Sequence, residues 1–139
     1  METHQTRDEY DRLTARAVVT LGSAGTIISH AVRASTGLKV LNDNSSMVAF
    51  LLVWLSGPMR PGEIAEAMDI TTGGSTKIVT KLESSGLVWR NSDIAADGRA
   101  VLVTLTEEGE RTAATALAAV GEAVRDLMGH LEALEGLVG

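Results

Sequence analysis

Between Pro61 and Gly86 the chain is punctuated so tightly that only two short helices fit. Gly57-Pro58 ends whatever precedes them, since a glycine–proline step breaks regular structure. Pro61 suits a first helical position, where its missing N–H is not needed. Ile64, Ala65 and Met68 then fall on one face of a first short helix. Asp69 and Ile70 turn the chain. Thr71 is placed to cap a second helix that runs to about Ser85 and stops at Gly86. Two helices joined by so short a turn make a helix-turn-helix. On a helical wheel Ser75, Ile78, Val79 and Leu82 share the side that should pack inward. The opposite side carries Gly73, Thr76, Lys77, Thr80 and Ser84, with Lys81 at its edge and no acidic residue.

The flanking segments are also mostly helical. Residues 8–34 place Tyr10, Leu13, Ala17, Leu21, Ala24, Ile28 and Ala31 on one stripe, the spacing of a long helix. Residues 35–44 read as a connection. A further helix is expected from about Ser45 to Ser56, with Asn44 as its cap. Its "MVAFLLVWL" is apolar nearly all round, which predicts a central, buried helix. After Gly86 come two strand-like runs, Leu87 to Arg90 and Ala100 to Leu105, joined through the tight-turn dipeptide Asp97-Gly98. That hairpin is a wing. Thr106 is placed to cap a last helix, whose early Glu107, Glu108 and Glu110 suit its positive end. In this helix Leu117, Val120, Val124, Leu127, Leu131, Leu134 and Val138 alternate spacings of three and four, a heptad seam. The fold class expected is mainly α with a small β-hairpin wing.

Several chemistries are excluded early. The chain has no cysteine, which removes disulfides, thiol redox sensing and cysteine–zinc sites. His4, His30 and His130 lack metal-ligand spacing, and neither a metal nor a cofactor is expected. The run "TTGGSTK" has the glycines, hydroxyls and lysine of a phosphate loop. Its lysine follows the hydroxyl residues rather than a glycine, however, and the preceding "EIAEAMD" is helical instead of a strand. No other motif points to an enzyme. The longest uncharged stretches are about 16 residues, short of the roughly 20 apolar residues of a membrane span. The charged N-terminus also lacks the apolar core of a signal peptide. A cytoplasmic protein is expected.

Net charge is −6, which by itself argues mildly against nucleic acid. Its distribution matters more. Residues 100–139 hold two basic and seven acidic side chains, whereas Thr71 to Arg90 hold Lys77, Lys81 and Arg90 against Glu83 alone. The second short helix is thus a basic island in an acidic chain.

From about Leu51 to Gly109 the order of parts resembles the MarR family of winged-helix transcriptional regulators. The resemblance is carried by "GPMRPGEIAEAMDITTGGSTKIVTKLESSGLVWR" and "DGRAVLVTLTEEG". These contain a short helix with a buried alanine, a threonine-bearing recognition helix and an "LExxGLV" exit. An Asp-x-Arg wing and an "LTxxG" entry to the last helix complete the pattern. The resemblance implies that Thr72, Gly73, Thr76, Lys77 and Thr80 lie in a DNA major groove. It implies that Arg99 enters the minor groove, with Asp97 holding its guanidinium. Lys81 and Arg90 would join Lys77 on phosphates. The family is dimeric through its first and last helices, which the heptad seam and the small-residue first helix fit on independent grounds. The division expected is a single domain, 1–139. Within it, 44–105 form the winged helix, and 5–36 and 106–138 form the N- and C-terminal dimerisation helices.

The function expected is a homodimeric regulator, more a repressor than an activator, on a pseudopalindromic site in double-stranded DNA. A small-molecule effector would bind between the helical region and the winged helix, near Tyr10, His30, Phe50 and Trp54. The competing reading is a winged helix that binds a protein instead of DNA, motivated by the acidic chain and its thin basic patch.

Overall fold

The computed structural model describes residues 4–92 and 101–138. Helix α1, His4–Thr36, has 33 residues, about 50 Å at 1.5 Å per residue, and exceeds the expected 8–34 at both ends. It lies along α5, Glu107–Ala123, and also meets α6, Arg125–Val138. Leu13, Ala17, Ala24 and Ile28 are half-buried and Val32 fully buried. Tyr10 and Leu21, expected on that stripe, are instead 68% and 59% exposed, and Val18 and Val19 beside them are exposed as well. A contact between two helices covers only a narrow stripe, so the apolar groups beside it stay open within one chain.

A 3₁₀ turn at Lys39–Asn42 leads into α2, Asn44–Ser56. The helix starts one residue earlier than expected: Asp43, rather than Asn44, occupies the cap position, and its carboxylate accepts the Ser46 hydroxyl at 2.8 Å. The expectation of burial all round needs correction too. Met47, Ala49, Phe50 and Val53 are buried, but Val48, Trp54 and Leu55 are exposed. The neighbouring elements cover one side of α2 and leave the other uncovered.

The helix-turn-helix consists of α3, Pro61–Met68, and α4, Thr72–Ser84. At the start of α3 the Arg60 N–H donates to the Glu63 carboxylate at 3.0 Å. At its end Asp69 takes a left-handed conformation, φ 54°, which aspartate tolerates better than most residues. The Ile70 N–H reaches back to the Ala65 carbonyl at 3.0 Å. Thr71 then caps α4 by accepting the Gly74 N–H at 3.0 Å. Ser75, Ile78, Val79 and Leu82 all face inward and are buried. Ser75 is fully buried, and its hydroxyl donates to the Pro61 carbonyl at 2.7 Å, tying α4 to the first turn of α3.

Helix α4 ends at Gly86, whose φ of 77° suits a residue without a side chain. Strands β1, Val88–Asn91, and β2, Leu102–Leu105, pair antiparallel with Val88 opposite Leu105 and Arg90 opposite Val103. Both begin later than the sequence runs indicate, in part because the Leu87 N–H still bonds to the Leu82 carbonyl of α4. The Asp97-Gly98 turn lies outside the described residues. Met59 adds an unexpected bridge to the far side of β2, exchanging both backbone hydrogen bonds with Val103.

The last helix is not one rod. It breaks between α5 and α6 at Val124, where ψ is 2°. The Val124 N–H still bonds to Val120, and the Met128 N–H bonds to Val124, so the ladder runs through the interruption. Gly121 and Gly129 flank it, and glycine weakens a helix by roughly 1 kcal/mol against alanine. Leu117, Val120 and Val124 of the seam are half-buried; its four later side chains lie outside the description.

The core gathers Val32, Leu41, Phe50, Val53, Ile64, Val79, Leu82, Leu87, Val88 and Val103, with Ala113 and Ala116 of α5 against them. Where α5 meets the helix-turn-helix, Thr106 donates its hydroxyl to the Gly86 carbonyl at 2.6 Å and accepts the Gly109 N–H at 2.9 Å. A Cβ built on Gly109 would overlap the Leu87 carbonyl oxygen. Gly109→Ala should therefore destabilise the protein by about 1–3 kcal/mol, as overpacking does. Ser75→Ala should lose about 0.5–1.5 kcal/mol by removing the hydrogen bond from the buried hydroxyl to the Pro61 carbonyl. Gly121→Ala, which meets nothing within 4 Å, should stabilise by up to about 1 kcal/mol. Urea unfolding at one fixed protein concentration checks all three; equal midpoints for the two glycine variants would refute the close approach at Gly109.

Candidate nucleic-acid interface

Burial of Ser75, Ile78, Val79 and Leu82 fixes which face of α4 looks outward. Thr72, Gly73, Thr76, Lys77, Thr80 and Lys81 are all exposed on it. Lys77 and Lys81 make no ion pair among the described residues, so both charges are available to an anion. The cap at Thr71 consumes the Gly74 N–H, and the first-turn N–H groups before it have no intrahelical partner. A helix start of this kind attracts phosphate.

Among the described residues, packing gives no reason for Gly73. A Cβ there meets nothing within 4 Å, yet glycine in a helix costs about 1 kcal/mol against alanine. The missing side chain leaves the helix start open to close approach from outside. Gly74 differs, because its Cβ would sit 3.1 Å from the capping Thr71 hydroxyl.

The threonine hydroxyls are turned back onto the helix. Thr76 Oγ1 donates to the Thr72 carbonyl at 3.0 Å, and Thr80 Oγ1 donates to the Thr76 carbonyl at 2.9 Å. Neither has a hydrogen left for a base. Each still offers a methyl, and Thr76 keeps its acceptor lone pairs.

Arg90 is placed differently from the free phosphate contact expected of it. Its Nη1 pairs with Glu83 Oε1 at 2.6 Å, and its backbone N–H donates to the other oxygen of the same carboxylate at 3.1 Å. Its Nη2 donates to Thr80 Oγ1 at 3.1 Å. Glu83 thus offsets the charge of Arg90 and ties β1 to α4. Sequence reasoning counted Glu83 only as the one acid of the basic island. The signal was its position three residues before Gly86, with Arg90 four residues after, so that the sharp turn returns the arginine to the helix. Asp97 and Arg99 lie outside the described residues.

The four effector-site candidates do not converge within one chain. Phe50 is fully buried in the core. Trp54 is 43% exposed on the uncovered side of α2. Tyr10 lines a cleft with Thr6, Arg7 and Asp11, and His30 lines another of about 490 Å³ with Arg33, Asn42 and Asn44. Twenty residues of one helix separate Tyr10 from His30, about 30 Å. Among the described residues no cluster of His, Asp or Glu could hold a metal, and no helix is long and apolar enough to cross a membrane.

The sequence model of the MarR family matches residues 44–101, from the start of α2 to the residue before β2. An uncharacterised HTH-type transcriptional regulator of Bacillus subtilis, YcgE, is 28% identical over 106 residues, 76% of this chain and 66% of that protein. The chain thus matches just under two thirds of that relative's length. The crystal structure of wild-type apo MarR from E. coli shares the fold at a TM-score of 0.67 and 18% identity, covering 89% of this chain and 95% of that one. A MarR-like transcriptional regulator of Thermotoga maritima is 29% identical at a TM-score of 0.56, covering 70% of this chain and 77% of its own. The match to the MarR family model over residues 44–101, the order of elements and the shared backbone agree on a winged helix-turn-helix similar to those of MarR-family regulators.

Proposed function

We propose that the chain is a homodimeric, sequence-specific DNA-binding transcriptional regulator, acting as a repressor at a pseudopalindromic site. The observation that carries this reading is the outward face of α4. It combines two unpaired lysines, a helix start with spare N–H groups, and a glycine that packing does not require. Two such helices spaced one helical turn apart, roughly 34–36 Å, would enter successive major grooves. By family resemblance, Arg99 of the wing would enter the minor groove, with Asp97 holding its guanidinium.

A second copy of the chain accounts for the open apolar surface. Tyr10, Val18, Val19 and Leu21 of α1 are each at least 59% exposed, and Leu55 of α2 is 75% exposed. Residues 5–36 and 106–138 are assigned to the dimer contact. A small-molecule effector would act by favouring a dimer whose two α4 helices are wrongly spaced for DNA.

Fluorescence anisotropy with a duplex selected from a randomised pool tests the DNA reading. Wild-type protein should bind with strong salt dependence. Lys77→Ala and Lys81→Ala should each flatten the plot of log affinity against log salt by about 1.8, one phosphate contact per protomer of the dimer. Gly73→Ala should raise folding stability by up to about 1 kcal/mol while weakening DNA binding, a pairing that a purely structural glycine could not produce. No binding at low salt would favour the protein-interaction reading. Sedimentation at micromolar concentration should show a dimer, and Val18→Glu combined with Leu21→Glu should shift it to monomer. A wild-type monomer would rule out the two-helix mechanism.

A further inference from the structure

Thr80 and Thr76 stand one turn apart on the exposed face of α4, yet their chemistry is unequal. A threonine hydroxyl has one hydrogen to give and two lone pairs to accept with. Thr80 spends its hydrogen on the Thr76 carbonyl at 2.9 Å and accepts from Arg90 Nη2 at 3.1 Å. That guanidinium is held in turn by Glu83, which grips both Nη1 and the Arg90 backbone N–H. The Thr80 hydroxyl is therefore enclosed by its own helix on one side and a fixed arginine on the other. Its Cγ2 methyl is the larger part of this exposed side chain left to meet a ligand, beside one remaining lone pair on Oγ1. Thr76 also gives its hydrogen to the helix, at 3.0 Å, but among the described residues nothing donates to its oxygen.

In the major groove, thymine alone among the four bases presents a methyl group, at C5. Resting on the DNA-binding reading above, we infer that Thr80 is a specificity residue that recognises thymine through a methyl–methyl contact. Arg90 and Glu83 are positioning residues that withdraw the Thr80 hydroxyl from base recognition. The arrangement also means that neither Thr76 nor Thr80 donates to guanine O6 or N7, which leaves that role on this face to other groups such as Lys77, Lys81 and Thr72.

The test uses full-length protein and a duplex selected by the wild type from a randomised pool, with each thymine replaced singly by deoxyuridine. At one thymine per half-site the wild type should lose about fourfold in affinity, the worth of one buried methyl group. Thr80→Ser, which keeps the hydroxyl and removes the methyl from both half-sites, should bind the unmodified duplex about sixteenfold more weakly and be indifferent to deoxyuridine at that position. Thr80→Val, which keeps the methyl and removes the hydroxyl, should retain wild-type sensitivity to that substitution. Circular dichroism of both variants confirms that α4 is formed. Wild-type binding unaffected by every deoxyuridine overturns the inference, and so does a Thr80→Ser variant that keeps the full sensitivity. A Thr80→Val variant that loses sensitivity as Ser does overturns it as well, by showing that the hydroxyl is the reading group. Failure of the wild type to bind any DNA at low salt removes the DNA reading itself, a different result from binding that ignores the thymine methyl.

Discussion

The junction at Gly86 and Leu87 holds the winged helix to the rest of the chain. The Leu87 N–H closes the end of α4 on the Leu82 carbonyl, its own carbonyl accepts the Thr106 N–H, and its side chain is fully buried. Gly109 of α5 presses against that same carbonyl, and the Thr106 hydroxyl fastens Gly86. The recognition helix, the first wing strand and the helix running toward α1 therefore share a few backbone atoms. Close-packed atoms cannot yield independently. A change in how α5 lies against α1 has a direct mechanical route to the angle of α4.

The outward face of α4 depends on the buried one. Ser75 fixes the start of the helix on α3, and Ile78, Val79 and Leu82 fix its rotation. With rotation set, charge and hydrogen bonding divide the exposed side chains. Lys77 and Lys81 remain unpaired among the described residues, whereas Arg90 is committed to Glu83 and Thr80. The pair is half-buried to exposed, with side-chain exposures of 29% and 40%, so its value to stability is modest. Its consequence is geometric: an acid counted as a weakness of the basic patch becomes the group that orients an arginine.

Local signals in the sequence were reliable where local physics decides. Pro61, Thr71, Gly86 and Thr106 each act through backbone groups only a few residues away, and all four stand where their chemistry places them. The inward set of α4 follows from the 3.6-residue period and is buried as read. Patterns that depend on a partner's position were less legible. The apolar run of α2 indicates that the helix is hydrophobic, not how many sides have neighbours, and Trp54 and Leu55 remain uncovered. The stripe on α1 includes Tyr10 and Leu21, but the α5 contact is narrower than the stripe. The heptad seam continues past Val124 in the sequence, while the backbone departs from helical geometry there.

The sequence by itself determined the helix-turn-helix, the hairpin after it and the outward chemistry of α4. Caps, breakers and periodicity act over one or two turns, and their effects are already present in residue order. Only the tertiary structure decided that Arg90 lies against Glu83 and Thr80, that Met59 bridges β2, and that Gly109 contacts the Leu87 carbonyl. Each of these joins groups whose separation is set by the angle between packed elements. That angle is a property of the whole core, which no short stretch of sequence contains.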